Sequence, residues 1–157
     1  AIGDLIGPPL LAHAASAEGV AAVEMMLGYD RKPIRRGEIP ACVYCQPEVA
    51  SVGLTEKEAR DTGQPVKVGK FQFRAAGKAV ATEQIDGWVK VVAGEQGRVL
   101  GAQMIGKGVT ELVAEIALAI QLGATVGQLG RTIHAHPTLS EALMEASLMA
   151  EGQGINS

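Results

Sequence analysis

Ile133-His134-Ala135-His136-Pro137-Thr138-Leu139-Ser140-Glu141 gathers two of the chain's three histidines, one residue apart and ahead of a proline. Pro137 pushes the backbone of His136 out of helical geometry, so the histidine belongs to a turn. A helix is expected to start just beyond it, at Thr138 or Ser140, and to run over residues 138–151, with Gly152 ending it. Leu143, Met144, Ser147 and Leu148 would line one of its sides. Glu141 follows His136 by five residues. A histidine on a rigid turn with a carboxylate in reach is the layout of an oriented acid/base: the carboxylate fixes one ring nitrogen and leaves the other for substrate. The same letters also fit a capping box, Thr138-Leu139-Ser140-Glu141, in which Glu141 folds back onto the helix start. Spacing alone leaves both readings open.

Upstream of the turn, residues 125–130 read as a short helix capped by Thr125. Val109–Leu122 reads as a longer one, with Leu112, Val113, Ile116 and Ile120 on one stripe and Leu118 and Ala119 on the other side. A helix so poor in polar residues is buried on more than one side, and a second subunit is one natural way to bury it. Before these helices the pattern is one of strands. Residues 49–52, 66–73, 87–93 and 98–105 are expected strands, the third and fourth joined by a hairpin turn at Gly94-Glu95-Gln96-Gly97. An irregularity is expected at Gly69. Thr55-Glu56-Lys57-Glu58 is a capping box that opens a short helix to about Thr62, and residues 75–82 form a connection.

With 157 residues the chain can bury one modest core. A net charge of -3 without any block of one sign excludes the basic patch that nucleic-acid binding needs. The apolar stretches are too short to span a bilayer, and two cysteines do not make a disulfide scaffold. Cys42-Val43-Tyr44-Cys45 has redox-motif spacing, but strand alternation would put its two thiols on opposite faces. No ligands cluster nearby to complete a zinc site, so no metal is expected. Gly101 to Gly108 nearly matches a phosphate-binding loop, yet Gly108 stands where a magnesium-holding Ser or Thr is required. Residues 29–39, with Arg31, Lys32, Arg35 and Arg36, read as a solvated connector.

At the other end, a helix over residues 9–27 is expected, with Pro8 and Pro9 at its first turn and Gly28 stopping it. Ala1-Ile2-Gly3-Asp4 reads as the last step of a strand entering a loop, and Ala1 is not a methionine, so the chain is expected to be a piece of something longer.

The stretch His134-Ala135-His136-Pro137-Thr138-Leu139-Ser140-Glu141 resembles the C-terminal signature of the dihydrolipoamide dehydrogenases, flavin-dependent disulfide reductases of the pyridine nucleotide-disulfide oxidoreductase family, and the similarity runs through the whole chain. The resemblance implies that His136 is the acid/base for the redox-active thiols, acting on the active site of the other subunit of a homodimer, with Glu141 orienting it. Ile2-Gly3-Asp4 resembles the family's second flavin motif, which implies that Asp4 holds a ribitol hydroxyl of FAD. The next helix would then point its N-terminus at the flavin ring, with backbone amides near Leu11, Ala12 and His13 facing the pyrimidine edge. A helix N-terminus favours negative charge on a reduced flavin, so the backbone of His13 matters here and not its side chain.

The implied fold is α+β, an antiparallel sheet of about five strands flanked by helices: the family's dimerisation (interface) domain over residues 33–157, preceded by the tail of an FAD-binding domain over residues 1–32. The whole enzyme would oxidise protein-bound dihydrolipoamide, with electrons passing through a disulfide and FAD to NAD. The present chain is expected to hold no cofactor and to be inactive by itself. Its expected partners are a second subunit and the 2-oxoacid dehydrogenase complex components that carry lipoyl groups, with no nucleic acid and no membrane. Its expected place is the cytoplasm, or the mitochondrial matrix in a eukaryote. Two alternatives stay open: another disulfide reductase, such as glutathione reductase, and a non-catalytic dimerisation module that exists alone.

Overall fold

The structure, a computed structural model, describes residues 1–31 and 34–155. It divides into two compact units, Ala1–Ile39 and Pro40–Ser157. The domain boundary expected between residues 32 and 33 lies outside the described residues.

The first unit is one helix, α1 (Ala12–Met26), preceded by a 3-10 turn over Gly3–Ile6. Ile2 is extended (φ -141°, ψ 168°), and the chain then curls, with Gly3 at a positive φ of 66° and the Gly7 N–H closing on the Asp4 carbonyl at 3.1 Å. One expectation is corrected here: Pro8 and Pro9 do not form the first turn of α1. The backbone stays extended at Leu11 (φ -133°), and the helix begins only at Ala12. The basic connector is tied locally. Arg31 pairs with Glu24 at 3.1 Å, Arg35 with Glu38 at 3.4 Å, and Arg36 donates to the Ile6 carbonyl at 3.2 Å.

The second unit is α+β. Its strands are β1 (Ala41–Val43), β2 (Val49–Gly53), β3 (Lys67–Gln72), β4 (Trp88–Ala93) and β5 (Val99–Ile105), and its helices are α2 (Glu56–Asp61), α3 (Gly77–Ala81), α4 (Val109–Leu122), α5 (Val126–Arg131) and α6 (Glu141–Ala150). The strands form one antiparallel five-stranded sheet in the order β1-β2-β5-β4-β3. Period-two alternation makes one face apolar. Pairing lines its residues up in two rows across the sheet, Ala50–Met104–Val89–Phe71 and Val52–Ala102–Val91–Gly69. Every residue in both rows is buried. Helix α4 packs on β2 and β5, α6 packs on β3 and β4, and α5 packs on α6.

Local chemistry explains most element ends. Thr55 and Thr125 each accept from the backbone N–H three residues on, Glu58 and Gln128, whose side chains reach back to the threonine amides. Two capping boxes therefore start α2 and α5. Gly123, at a φ of 67°, closes α4 in the left-handed conformation that glycine adopts without penalty. The turn between β4 and β5 carries a bulge at Val92 and Ala93, and Gln96 sits at a φ of 56°. The expected connection over residues 75–82 contains a 3-10 turn, Phe73–Ala75, and the short helix α3.

The expected irregularity at Gly69 is absent, since β3 pairs with β4 without a break from Lys67 to Gln72. Gly69 serves packing instead. A Cβ there would collide with the Ala146 carbonyl oxygen and stand 2.5 Å from the Ala150 nitrogen. Helix α6 thus lies directly on the β3 backbone, and Ala142, Ala146 and Ala150, one helical turn apart, are all buried on that side. The Gly69→Ala variant should lose about 1–3 kcal/mol of stability, because neither backbone has room to give. Urea midpoints of the two proteins measure this, and equal midpoints would mean that α6 is not seated so closely.

Candidate active site

The site lies between α5 and α6. After Arg131 the chain leaves the helix, and Ile133 to Leu139 belong to no helix or strand. The His136–Pro137 bond is cis. The turn is laced by its own side chains: the Thr138 hydroxyl donates to the Ala135 carbonyl at 2.6 Å and stands 2.9 Å from the Ser140 hydroxyl. Leu139 packs into the core. Helix α6 then opens with tight bonds, from the Ala142 N–H to Leu139 and from the Leu143 N–H to Ser140. It therefore begins at Glu141 and not at Thr138.

Glu141 uses its two oxygens on two different partners. Oε2 accepts the Thr138 N–H at 2.8 Å, and Oε1 stands 2.9 Å from His136 Nδ1. The helix-capping and acid/base geometries are therefore present together. Only half of the capping box forms, because the Thr138 hydroxyl is spent on Ala135. Burial pushes the Glu141 carboxyl up, but the bonds from the Thr138 amide and the His136 ring outweigh it and hold the group below its ordinary value. An ionised carboxylate only accepts, so His136 must place its hydrogen on Nδ1, leaving the Nε2 lone pair to take a proton. The His136 side chain is 74% exposed and Glu141 only 21%, so the carboxylate is sheltered and the imidazole ring faces outward. The ring edge lies near Gly77 at the start of α3.

The second histidine of the turn has a different setting. His134 Nδ1 lies 2.8 Å from the Thr132 carbonyl and Nε2 lies 2.9 Å from Glu115 on α4, with a side chain only 5% exposed. Sequence reading missed Glu115, because nineteen residues separate the pair and no local spacing links them.

The other candidates lie in the first unit. Asp4 is exposed within its 3-10 turn, Leu11 is the residue that precedes α1, and Ala12 and His13 are its first two residues. No acidic side chain occupies the first turn of α1, so its positive end is left for an anion. Cys42 and Cys45 are both free thiols. Cys45 lies beyond the end of β1 with its sulfur 3.0 Å from the Pro47 carbonyl. The segment that mimics a phosphate loop is mostly strand β5. Among the described residues no group of His, Cys, Asp or Glu could hold a metal ion, and no helix is long and apolar enough to cross a membrane.

The depressed Glu141 carboxyl gives stability a definite pH dependence. A group whose folded value is lowered stabilises above its unfolded value and loses that contribution as pH falls through the folded value. Glu141→Gln should therefore be less stable than the parent by about 1 kcal/mol at neutral pH. The gap should close as pH drops below about 4. Urea midpoints taken across that range check it, and a gap independent of pH would contradict it.

The comparisons with known proteins can be set beside this geometry. Residues 39–147 match the family model for the pyridine nucleotide-disulphide oxidoreductase dimerisation domain. A dihydrolipoyl dehydrogenase from Bacillus subtilis is 50% identical over 99% of this chain and 33% of its own length, and one from Haloferax volcanii is 46% identical over 99% and 33%. The chain spans about a third of the length of the curated relatives it matches. The crystal structure of LpdA from Mycobacterium tuberculosis superposes with a TM-score of 0.89 at 30% identity, over 94% of this chain and 32% of that one. The HOCl-induced flavoprotein disulfide reductase RclA from Escherichia coli shares the fold at 23% identity, with a TM-score of 0.83 over 93% and 34%. With a five-stranded antiparallel sheet flanked by helices and a family match over most of its length, this chain belongs to the pyridine nucleotide-disulphide oxidoreductases and carries their dimerisation domain.

Proposed function

We propose that the chain is the C-terminal part of a dihydrolipoyl dehydrogenase and that His136 is its acid/base, oriented by Glu141. The observation that carries this reading is the short contact from Glu141 to His136 Nδ1 in a turn otherwise tied down on both sides. It leaves Nε2 outward and basic, where a substrate thiol can be deprotonated. A thiol is a poor nucleophile until it ionises, so a base held in one tautomer lowers the barrier to dithiol oxidation. As His136 takes up the proton, the Glu141 carboxylate stabilises the charge that forms on the ring. The names of the relatives support a dihydrolipoyl group as the dithiol, and the family description supports a pyridine nucleotide, taken here as NAD, as the final acceptor.

FAD, when bound, would supply a two-electron acceptor. Asp4 would then hold a ribitol hydroxyl, and the backbone at Leu11, Ala12 and His13, in a first turn free of acidic side chains, would face the pyrimidine edge of the ring. Among the described residues we assign no further cofactor positions, and on this reading the chain by itself is an inactive part of the enzyme. The working form is a homodimer in the cytoplasm, or in the mitochondrial matrix of a eukaryote, serving lipoyl-carrying components of a 2-oxoacid dehydrogenase complex.

The test needs the full-length enzyme. His136→Gln should slow dihydrolipoamide oxidation by about 10²–10⁴-fold with flavin still bound, and Glu141→Ala should slow it less, since the imidazole remains and loses only its orienter. Full activity in His136→Gln would overturn the assignment.

Self-association has its own test. Leu118 and Leu122 on α4 are 55% and 73% exposed, and Ile133 beside the histidine turn is 97% exposed. They line a groove of ≈ 490 Å³. Exposed apolar surface of this kind favours a two-fold contact in which one patch meets itself. Sedimentation at micromolar concentration should give a dimer, and Leu118→Asp should shift it towards monomer. A folded parent protein that sediments as a monomer would refute this.

A further inference from the structure

His134 is not needed by the chemistry assigned to His136, yet it is the more constrained of the two histidines. Its side chain is 5% exposed while that of His136 is 74% exposed. Both of its ring nitrogens meet acceptors, the Thr132 carbonyl at 2.8 Å and Glu115 Oε1 at 2.9 Å. A carbonyl oxygen only accepts, so Nδ1 carries a hydrogen. Across the Nε2 contact one further proton is shared with the carboxylate. The ring is thus clamped between the end of α5 and the middle of α4. Only Ala135 separates it from His136, and that residue's carbonyl is itself held by the Thr138 hydroxyl at 2.6 Å.

We infer that Glu115 and His134 form a positioning pair: they fix the upstream side of the turn to α4, as Glu141 fixes its downstream side to α6, so that His136 is held from both directions. This rests on the acid/base reading of His136. Two further features support it beyond the distances. Glu115 and His134 belong to the same groove as Leu118, Leu122 and Ile133, so the pair joins the apolar face of α4 to the reactive turn. His134 also adds a smaller lowering of the Glu141 carboxyl to that from the Thr138 amide and His136, all against the burial that raises it. Removing Glu115 leaves a buried imidazole without its acceptor and frees one end of the turn. Misplacement of a catalytic group by about 1 Å costs of the order of 10²-fold in rate.

The experiment is a mutant cycle on the full-length flavoprotein. Glu115→Ala should lower kcat for dihydrolipoamide oxidation about 10- to 100-fold while KM changes about twofold or less. Glu115→Gln, whose amide can still reach Nε2, should fall by much less. The double variant Glu115→Ala with His136→Gln should be no slower than His136→Gln alone, because a residue that acts only through His136 has nothing left to position. A loss that adds in full to that of His136→Gln would overturn the inference, as would a Glu115→Ala enzyme as fast as the parent beside a slow His136→Gln. A fast His136→Gln would instead overturn the acid/base reading beneath it. Should Glu115→Ala fail to fold as a flavoprotein, His134→Ala run through the same cycle decides by the same criteria.

Discussion

Helix α6 rests on the sheet at a point where the sheet residue, Gly69, has no side chain. Gly69 ends the inner row Val52–Ala102–Val91–Gly69, and above it the α6 backbone comes within contact of the β3 backbone. The buried alanines Ala142, Ala146 and Ala150 are what the helix brings to that approach. Small residues on both sides trade hydrophobic area for proximity. What proximity gives is position, since a helix seated on backbone cannot slide or roll by the width of a side chain. Glu141 is the first residue of that helix, so the packing at Gly69 sets where the carboxylate stands.

That carboxylate divides its two oxygens between two partners. A capping box and an oriented acid/base look like rival accounts of the same letters, because each claims Glu141. The structure satisfies both by giving Thr138 one oxygen and His136 the other. Stability and reactivity are then coupled at a single group. The bond that starts the helix also keeps the carboxylate ionised, and the ionised carboxylate is what chooses the histidine tautomer.

The parts of the fold that were legible in the sequence are those with local causes. Val109–Leu122 has an apolar stripe and a glycine at its end, and its bounds come out as read. Thr55 and Thr125 each sit three residues ahead of a reaching Glu or Gln, and both helices begin there. What was misread has non-local causes. A glycine inside a strand suggests a bulge by local rules, but Gly69 answers to a helix more than seventy residues further on. The start of α6 moved to Glu141 because the Thr138 hydroxyl found Ala135 instead of the helix. Of the candidate site, the proximity of His136 and Glu141 followed from spacing, whereas the Glu115–His134 contact needed the tertiary fold to bring α4 beside the turn.

The exposure of the two histidines shows how the turn divides its work. The inner ring is out of water and bonded at both nitrogens, while the outer ring is bonded at one and open at the other. On the acid/base reading, His136 acts on a thiol when the reacting groups are held in line and water is displaced. On that reading this unit meets the first condition through Glu141, Glu115 and the half-buried Leu139. The second requires a surface to close over Nε2. The apolar side chains of Leu118, Leu122 and Ile133 beside the turn are the features of this unit that such a surface would meet. Holding the base rigid from below while leaving it uncovered above suits a site that is completed by association.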